Sequence, residues 1–167
     1  MSSQSKPQQE KSSDDSGAMG FAQFLGKIAW IVELIIGIIF IFWGIYYLWW
    51  ASVLTTTAEE LGPYGYVAAD AIASLTISGV MYIIGGILAI IFAVALVKPR
   101  FSDKWADKDY DYLLNDVVKI GSVRIPLFLI IGIILEILLS WVGGLIILIP
   151  LLILIFAGPK EYKWKEE

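Results

Sequence analysis

Residues 28–50 read IAWIVELIIGIIFIFWGIYYLWW and carry a single charged side chain, that of Glu33. A helix needs about 20 apolar residues to cross the hydrocarbon core of a bilayer, and this stretch is long enough. Two further stretches, residues 71–97 and 125–157, are similarly poor in charge. The whole chain is 58% hydrophobic and 17% charged, whereas soluble domains carry about 25% charged residues. The sequence therefore predicts an all-α integral membrane protein.

The third apolar stretch is too long for one crossing, because as a single helix it would measure about 50 Å. Gly143 and Gly144 permit a tight turn beside an interfacial aromatic residue, Trp141. The last segment is short and contains Pro150, so a re-entrant or shallow helix is the alternative there. We expect a bundle of four transmembrane helices, the last two forming a tight hairpin, with spans at residues 28–50, 71–97, 121–140 and 144–158.

The positions of the basic residues predict the orientation, because Lys and Arg close to membrane spans are retained on the cytoplasmic side. Of the 12 basic residues, none lies between residues 50 and 71, and all lie before, between or after the spans in alternate segments. The sequence thus predicts a multi-pass cell-membrane protein with cytoplasmic N- and C-termini. Its expected parts are a disordered cytoplasmic tail (1–19), a four-span membrane domain (20–158) with an inner loop (98–120), and a cytoplasmic tail (159–167).

The inner loop carries a helical stripe of Trp105, Tyr112 and Leu113 beside several acidic residues. Such a stripe favours an amphipathic helix over residues 102–118 that lies on the inner membrane surface and docks a partner. A solvated linker anchored by Trp105 is the alternative.

Aromatic side chains gather at the outer end of the first span. Because Trp and Tyr prefer the headgroup level of a bilayer, we interpret these residues as anchors. They are Tyr46, Tyr47, Trp49 and Trp50.

Small residues recur at intervals that let membrane helices approach closely, since helix association in lipid relies on backbone proximity. They are Gly37 and Gly44 in the first span, Gly85, Ala89 and Ala93 in the second, and Gly132 in the third. We expect these six positions to face neighbouring helices.

Two carboxyl side chains fall inside the predicted spans, where an acidic residue costs about 3 kcal/mol on insertion scales. Glu33 lies near the inner end of its span, within reach of interfacial water or a basic group. Glu136 lies deeper and shares a helix face with Gly132 and Ser140, which favours a protonated, hydrogen-bonded contact between helices; ion handling or a subunit interface is the alternative. The two acids would differ in depth by about 10 Å, so a shared-proton pair is not expected.

The residue types exclude most familiar catalytic sites. The chain has no Cys and no His, and therefore neither a thiolate nor an imidazole. Asp107, Asp109 and Asp111 imitate the start of a calcium loop, but Tyr112 and Val118 stand where that loop needs Gly and Glu. We expect no catalytic residue, no metal, no cofactor, no nucleic-acid partner and no enzymatic activity.

The leading functional hypothesis is a small non-catalytic membrane protein, a structural or accessory subunit of a larger membrane complex. Its partners would be the lipid bilayer and either other membrane subunits or further copies of itself. The alternative is a small transporter or ion-permeation protein that uses Glu136. In hydropathy outline, residues 20–167 are similar to many small prokaryotic, especially archaeal, membrane proteins, a resemblance that implies no activity.

Overall fold

The computed structural model describes residues 13–60, 62, 68–139 and 143–165, and it is mostly helical, as predicted. Its elements in chain order are α1 (Ser13–Glu60), α2 (Ala69–Phe92), a π-helical segment π1 (Ala93–Ser102), α3 (Asp103–Ala106), α4 (Tyr110–Asn115), β1 (Val117–Ile120), β2 (Val123–Pro126), α5 (Leu127–Leu138) and α6 (Leu145–Ala157). Since α2, π1 and α3 follow one another without a gap, they form one long helical rod, which runs antiparallel to α1.

Two helices of the described residues are long and apolar enough to cross a membrane, namely Gly17–Glu60 and Ala69–Ala106. The helices α5 and α6 contain 12 and 13 residues, so they measure only about 18 and 20 Å. Both are shorter than the roughly 30 Å hydrocarbon core. The predicted four-span bundle is therefore not confirmed.

Glycine pairs bring the backbones of α1 and α2 into contact. A Cβ atom added to Gly44 would lie 2.6 Å from the carbonyl oxygen of Gly79, and one added to Gly37 would lie 2.8 Å from that of Gly86. On each helix the two glycines are two turns apart, so the same two faces meet twice. Only a hydrogen atom fits between the helices at these positions.

The rod widens into π1 around Pro99. Proline has no N–H to donate, and its ring collides with the carbonyl group four residues earlier in a regular α-helix. A wider turn relieves that collision, and the N–H of Asp103 accordingly donates to the carbonyl oxygen of Lys98, five residues back. The helix passes Pro99 and continues into α3.

The short helices α5 and α6 form a hairpin that packs against the inner halves of the two long helices. Helix α6 contacts α1, and α5 contacts α2. At the far end of α5, the carbonyl oxygen of Leu138 lies 3.0 Å from where a Cβ of Gly85 would be. At the near end, the rings of Phe128 and Phe101 lie 4.8 Å apart. The core of the protein therefore lies in the inner half of the molecule.

The inner loop differs from the predicted helix over residues 102–118. Helix α3 ends before Lys108, whose φ of 58° breaks the helix, and α4 begins after Asp109, whose side chain accepts a hydrogen bond from the Tyr112 N–H at 3.2 Å. Residues 117–126 form an antiparallel β-hairpin that turns at Gly121, with a φ of 63°. The chain here is rich in β-branched Val and Ile, which favours strands. The predicted third span consequently begins at Leu127 rather than at residue 121.

Trp105 is a core residue and not a surface anchor. It is fully buried, and its indole ring occupies the space where a Cβ of Gly26 would lie. Gln23 in α1 donates to the carbonyl oxygen of Trp105 at 3.5 Å. Trp105 thus joins α3 to the first turns of the apolar part of α1.

The described parts of both terminal segments are structured, although disorder was predicted for the N-terminal one. Residues 13–19, part of the predicted disordered tail, belong to α1, and residues 1–12 lie outside the described residues. The C-terminal segment packs along β2: the Tyr162 hydroxyl donates to the Arg124 carbonyl oxygen at 2.9 Å, and the Arg124 N–H donates to that of Trp164 at 2.9 Å.

The glycine contact predicts opposite effects for two equal substitutions on α1. Gly44→Ala places a methyl group against the backbone of α2 and should lower the free energy of unfolding by about 1–3 kcal/mol, as overpacking does. Gly20→Ala, where nothing lies within 4 Å, should raise it by about 0.5–1 kcal/mol through helix propensity. Unfolding in mixed micelles, followed by circular dichroism, measures both. Equal effects at the two positions would contradict the backbone contact.

Candidate functional site

Glu33 interrupts a stripe of small residues on α1. The other buried positions of this helix are all Gly or Ala: Ala22, Gly26, Ala29, Gly37, Gly44 and Ala51. Glu33 itself is 0% exposed. Neither of its carboxyl oxygens has a hydrogen-bond partner among the described residues. The side chain is therefore a polar group in apolar surroundings, which is costly unless something binds to it.

Glu136 belongs to the last turn of α5 and faces the inside of the α5–α6 hairpin. Its Cγ atom lies 2.8 Å from where a Cβ of Gly144 would be, so the absence of a side chain at Gly144 makes room for it. The residue is 8% exposed, and its Oε2 atom has no partner among the described residues. The predicted neighbour Ser140 lies outside the described residues.

The helix contacts place Glu33 and Glu136 at a similar depth. Leu138, two residues after Glu136, meets Gly85, and the adjacent Gly86 meets Gly37, which is one turn after Glu33. This corrects the expected separation in depth of about 10 Å. Because the β-hairpin takes six residues that were assigned to the third span, Glu136 lies about 9 Å closer to the inner side than expected. The structure thus provides two buried acids at a similar depth, one on α1 and one on the hairpin.

The positive charges of the neighbouring elements are engaged elsewhere. The Lys98 ammonium lies over the Trp30 ring, 5.1 Å from its centroid. Arg100 donates twice to Asp116, at 2.7 and 2.9 Å, and once to the Tyr112 hydroxyl at 3.1 Å. No ion pair reaches Glu33 or Glu136 within the part of the chain that the structure describes. Neither acid therefore has a positively charged partner among the described residues.

The predicted packing residues surround this site on several sides. Gly37 and Gly44 lie at the α1–α2 contact, and Gly85 lies against the far end of α5. A Cβ on Gly132 would lie 2.7 Å from Leu148 Cγ, which places this glycine at the α5–α6 contact. Ala89 and Ala93 are both fully buried.

A second feature, which the sequence did not predict, is an aromatic cleft between α1 and α2 beyond the hairpin. Its lining residues are Ile39, Phe40, Trp43, Tyr47 and Tyr82, and its volume is about 210 Å³. The Tyr82 ring lies 5.1 Å from that of Phe40 and 5.4 Å from that of Tyr47. A second apolar groove of about 380 Å³, lined by Ile39, Phe42, Trp43 and Tyr46, adjoins it. Trp43 is thus a ridge between two grooves.

Of the residues that line this cleft, Tyr47 was predicted from the sequence to be a membrane anchor, and no role was predicted for Trp43. Tyr47 and Tyr82 are separated by 35 positions in the chain, and nothing in the sequence indicates that their rings meet. The signal that was available is the depth of Trp43, which lies about 10 Å from Trp50 along the helix and is therefore too deep for the headgroup region.

Comparison of the chain with protein-family models, with curated protein sequences and with solved structures gives no match. Within the described residues, no group of three or more Asp and Glu side chains could hold a metal ion. The features of the described chain that bear on function are the two buried acids, the aromatic cleft and the exposed apolar side chains of α1 and α2.

Burying two unpartnered carboxyl groups costs free energy. We therefore expect that replacing them with apolar residues stabilises the fold. Replacing both buried acids by apolar residues of similar length, Glu33→Met with Glu136→Met, should raise the free energy of unfolding by about 1–4 kcal/mol, as replacement of buried charged groups does elsewhere. The control is Glu59→Met with Glu60→Met at the exposed outer end of α1, where a change within about 0.5 kcal/mol is expected. Unfolding followed by tryptophan fluorescence measures both. A loss of stability at the buried pair would contradict this account.

Proposed function

We propose that the chain is a multi-pass protein of the cell membrane in which α1 and the α2–π1–α3 rod cross the bilayer completely. Less than a third of the most apolar part of each helix is buried by the rest of the chain, whereas the core helix of a soluble protein is mostly buried. Large apolar side chains such as Phe42, Ile77 and Met81 are exposed along both helices. A bilayer would cover these side chains.

The α5–α6 hairpin, in this proposal, enters the membrane from the cytoplasmic side and turns back about halfway. Counted along the rod from Val97, where the apolar stretch ends, the level of Gly85 lies about 18 Å into a core of about 30 Å. Leu138 meets the rod at this level. Both chain termini then lie on the cytoplasmic side, in agreement with the distribution of Lys and Arg.

Single cysteines test this topology in a chain that has no native Cys. Leu145→Cys, at the exposed first residue of α6, should stay unlabelled by a membrane-impermeant maleimide on both sides, because it lies in hydrocarbon. Thr56→Cys should be labelled from outside, and Lys163→Cys only after the membrane is permeabilised. Labelling of Leu145→Cys from outside would mean that the hairpin crosses the membrane fully.

Within that topology we propose that the protein acts as a non-catalytic accessory subunit of a larger membrane complex, and that an apolar helix of another subunit packs in the aromatic cleft. The observation that carries this proposal is that the hairpin ends below the cleft. Trp43 and Tyr47 continue the face of α1 on which Ile36 and Phe40 pack against the core, but the core residues do not extend to them, and Tyr47 is covered in part by Tyr82. Trp43 is 51% exposed.

The character of the cleft favours a helix over other occupants. Sites for small molecules usually include a few precisely placed polar groups, whereas the residues that line the cleft and the adjoining groove are apolar or aromatic. A ridge between two grooves is the shape into which side chains of a neighbouring helix interdigitate. Aromatic residues are also enriched in the cores of protein interfaces. Neither groove is lined by a charged residue, which favours an accessory subunit over a transporter.

Site-directed photo-cross-linking tests the partner. A photoreactive residue at position 43 should cross-link to one protein of the native membrane, whereas one at Phe156, which is 77% exposed on α6, should reach lipid only. The variant Trp43→Ala should reduce co-purification of that same protein about tenfold or more, because truncation of a central interface Trp often costs 2 kcal/mol or more. A cross-link between two copies of this chain would instead make it a homo-oligomer. The same products from both positions would contradict the proposal.

A further inference from the structure

The Glu33–Glu136 pair has a feature that packing does not explain: two buried carboxyl groups at a similar depth have no ion-pair partner among the described residues. We propose that the two carboxyl groups form a single proton-binding site, which holds one proton between α1 and the α5–α6 hairpin at neutral pH. This assignment is independent of the accessory-subunit function, because it concerns the inner half of the protein and not the cleft.

The surroundings of Glu33 and those of Glu136 both support this inference. Glu33 is completely buried, and both of its oxygens lack a partner among the described residues. Glu136 approaches from a different element, held in place against Gly144, and its Oε2 atom also lacks a partner there. Helix α6 contacts both α1 and α5, and its buried residues are Ile, Leu and Pro only. Three of the four carboxyl oxygens thus have no described donor.

The charged and titratable groups of every neighbouring element can be followed in the structure. Helix α6 carries none, and α5 carries only Glu136. Helix α2 carries Asp70 at its outer end and Tyr82 in the aromatic cleft. In π1, Lys98 lies over Trp30 and Arg100 is paired with Asp116. On α1 the nearest is Lys27, almost two turns before Glu33.

These surroundings favour a proton over other ligands. Two ionised carboxylates that face each other in an apolar site repel strongly, and one of them takes up a proton. A metal ion such as Ca²⁺ would require six or more oxygen ligands, while the site offers two carboxyl groups. Uptake of the proton forms one O–H bond, lowers the charge of the pair from two negative charges to one, and provides the donor that the unpartnered oxygens lack.

Infrared spectroscopy of the purified full-length protein tests the proposal, because a neutral carboxyl group has a carbonyl stretching band apart from those of carboxylates and backbone amides. Maltoside micelles are suitable, since this detergent has no carbonyl group. The wild-type protein at neutral pH should show a band equivalent to one neutral carboxyl group per chain. The band should disappear in the double variant E33Q/E136Q and persist in the control Glu59→Gln. Circular dichroism confirms that each variant is folded.

The coupling between the two groups is tested at mildly alkaline pH. The wild-type band should persist there, whereas E136Q should lose most of it, because Glu33 no longer faces a second negative charge; E33Q provides the reciprocal comparison for Glu136 if E136Q does not fold. Absence of the band in the wild-type protein, or its persistence in the double variant, would overturn the proposal. So would an intensity of two groups per chain, or equal persistence in wild type and both single variants, since the carboxyls would then titrate independently.

Discussion

The backbone contact between α1 and α2 is the constraint on which the rest of the structure depends. At Gly37–Gly86 and Gly44–Gly79 the two helices lie so close that a single methyl group would collide with the opposite backbone. In a bilayer this close approach provides van der Waals contact that lipid cannot match, because apolar burial alone does not drive helices together there. The contact occupies only one narrow face of each helix. The large side chains of α1 and α2 therefore point sideways and outward, where another element or lipid must cover them.

The chain supplies such a cover in its inner half only. The hairpin α5–α6, with Trp105 and Phe101 from the rod, completes a core on one side of the glycine contact. Two polar contacts fix the start of the hairpin. The Arg100 side chain donates a hydrogen bond to the Asp116 carboxylate. The Asp116 carbonyl oxygen accepts a hydrogen bond from the N–H of Leu127, the first residue of α5. From there, 12 residues of helix reach as far as Gly85 and no farther. The length of α5 thus divides the molecule into a packed inner half and an outer half made of two helices.

The sequence predicted the features that depend on local composition. Charge-poor stretches marked both long helices, and the spacing of Gly37 and Gly44 is visible without a structure. The sequence does not show which residue of α2 lies opposite which residue of α1, so it could not predict the partners of these glycines. For the same reason Trp105 resembled a surface anchor, because Gly26, on which its ring lies, is 79 positions away. Residues 117–126 were misjudged because Val and Ile suit a membrane helix and a strand equally well, and only the turn at Gly121 separates the two. That error moved Glu136 away from Glu33.

The placement of the two acids follows from the same division of the molecule. Apart from Glu33, all the described buried positions of α1 are Gly or Ala. At the glycines, the neighbouring helix or Trp105 leaves no room for a larger group. Glu33 stands where the hairpin, which is thinner and shorter than a full span, leaves room for a long side chain. Glu136 reaches the same space because Gly144 has no side chain to block it. A Leu or Met at either position would fill this space without the cost of removing a carboxyl group from water. Packing therefore explains why there is room for these side chains, whereas it does not explain why they are acidic, and the proposed proton site accounts for that.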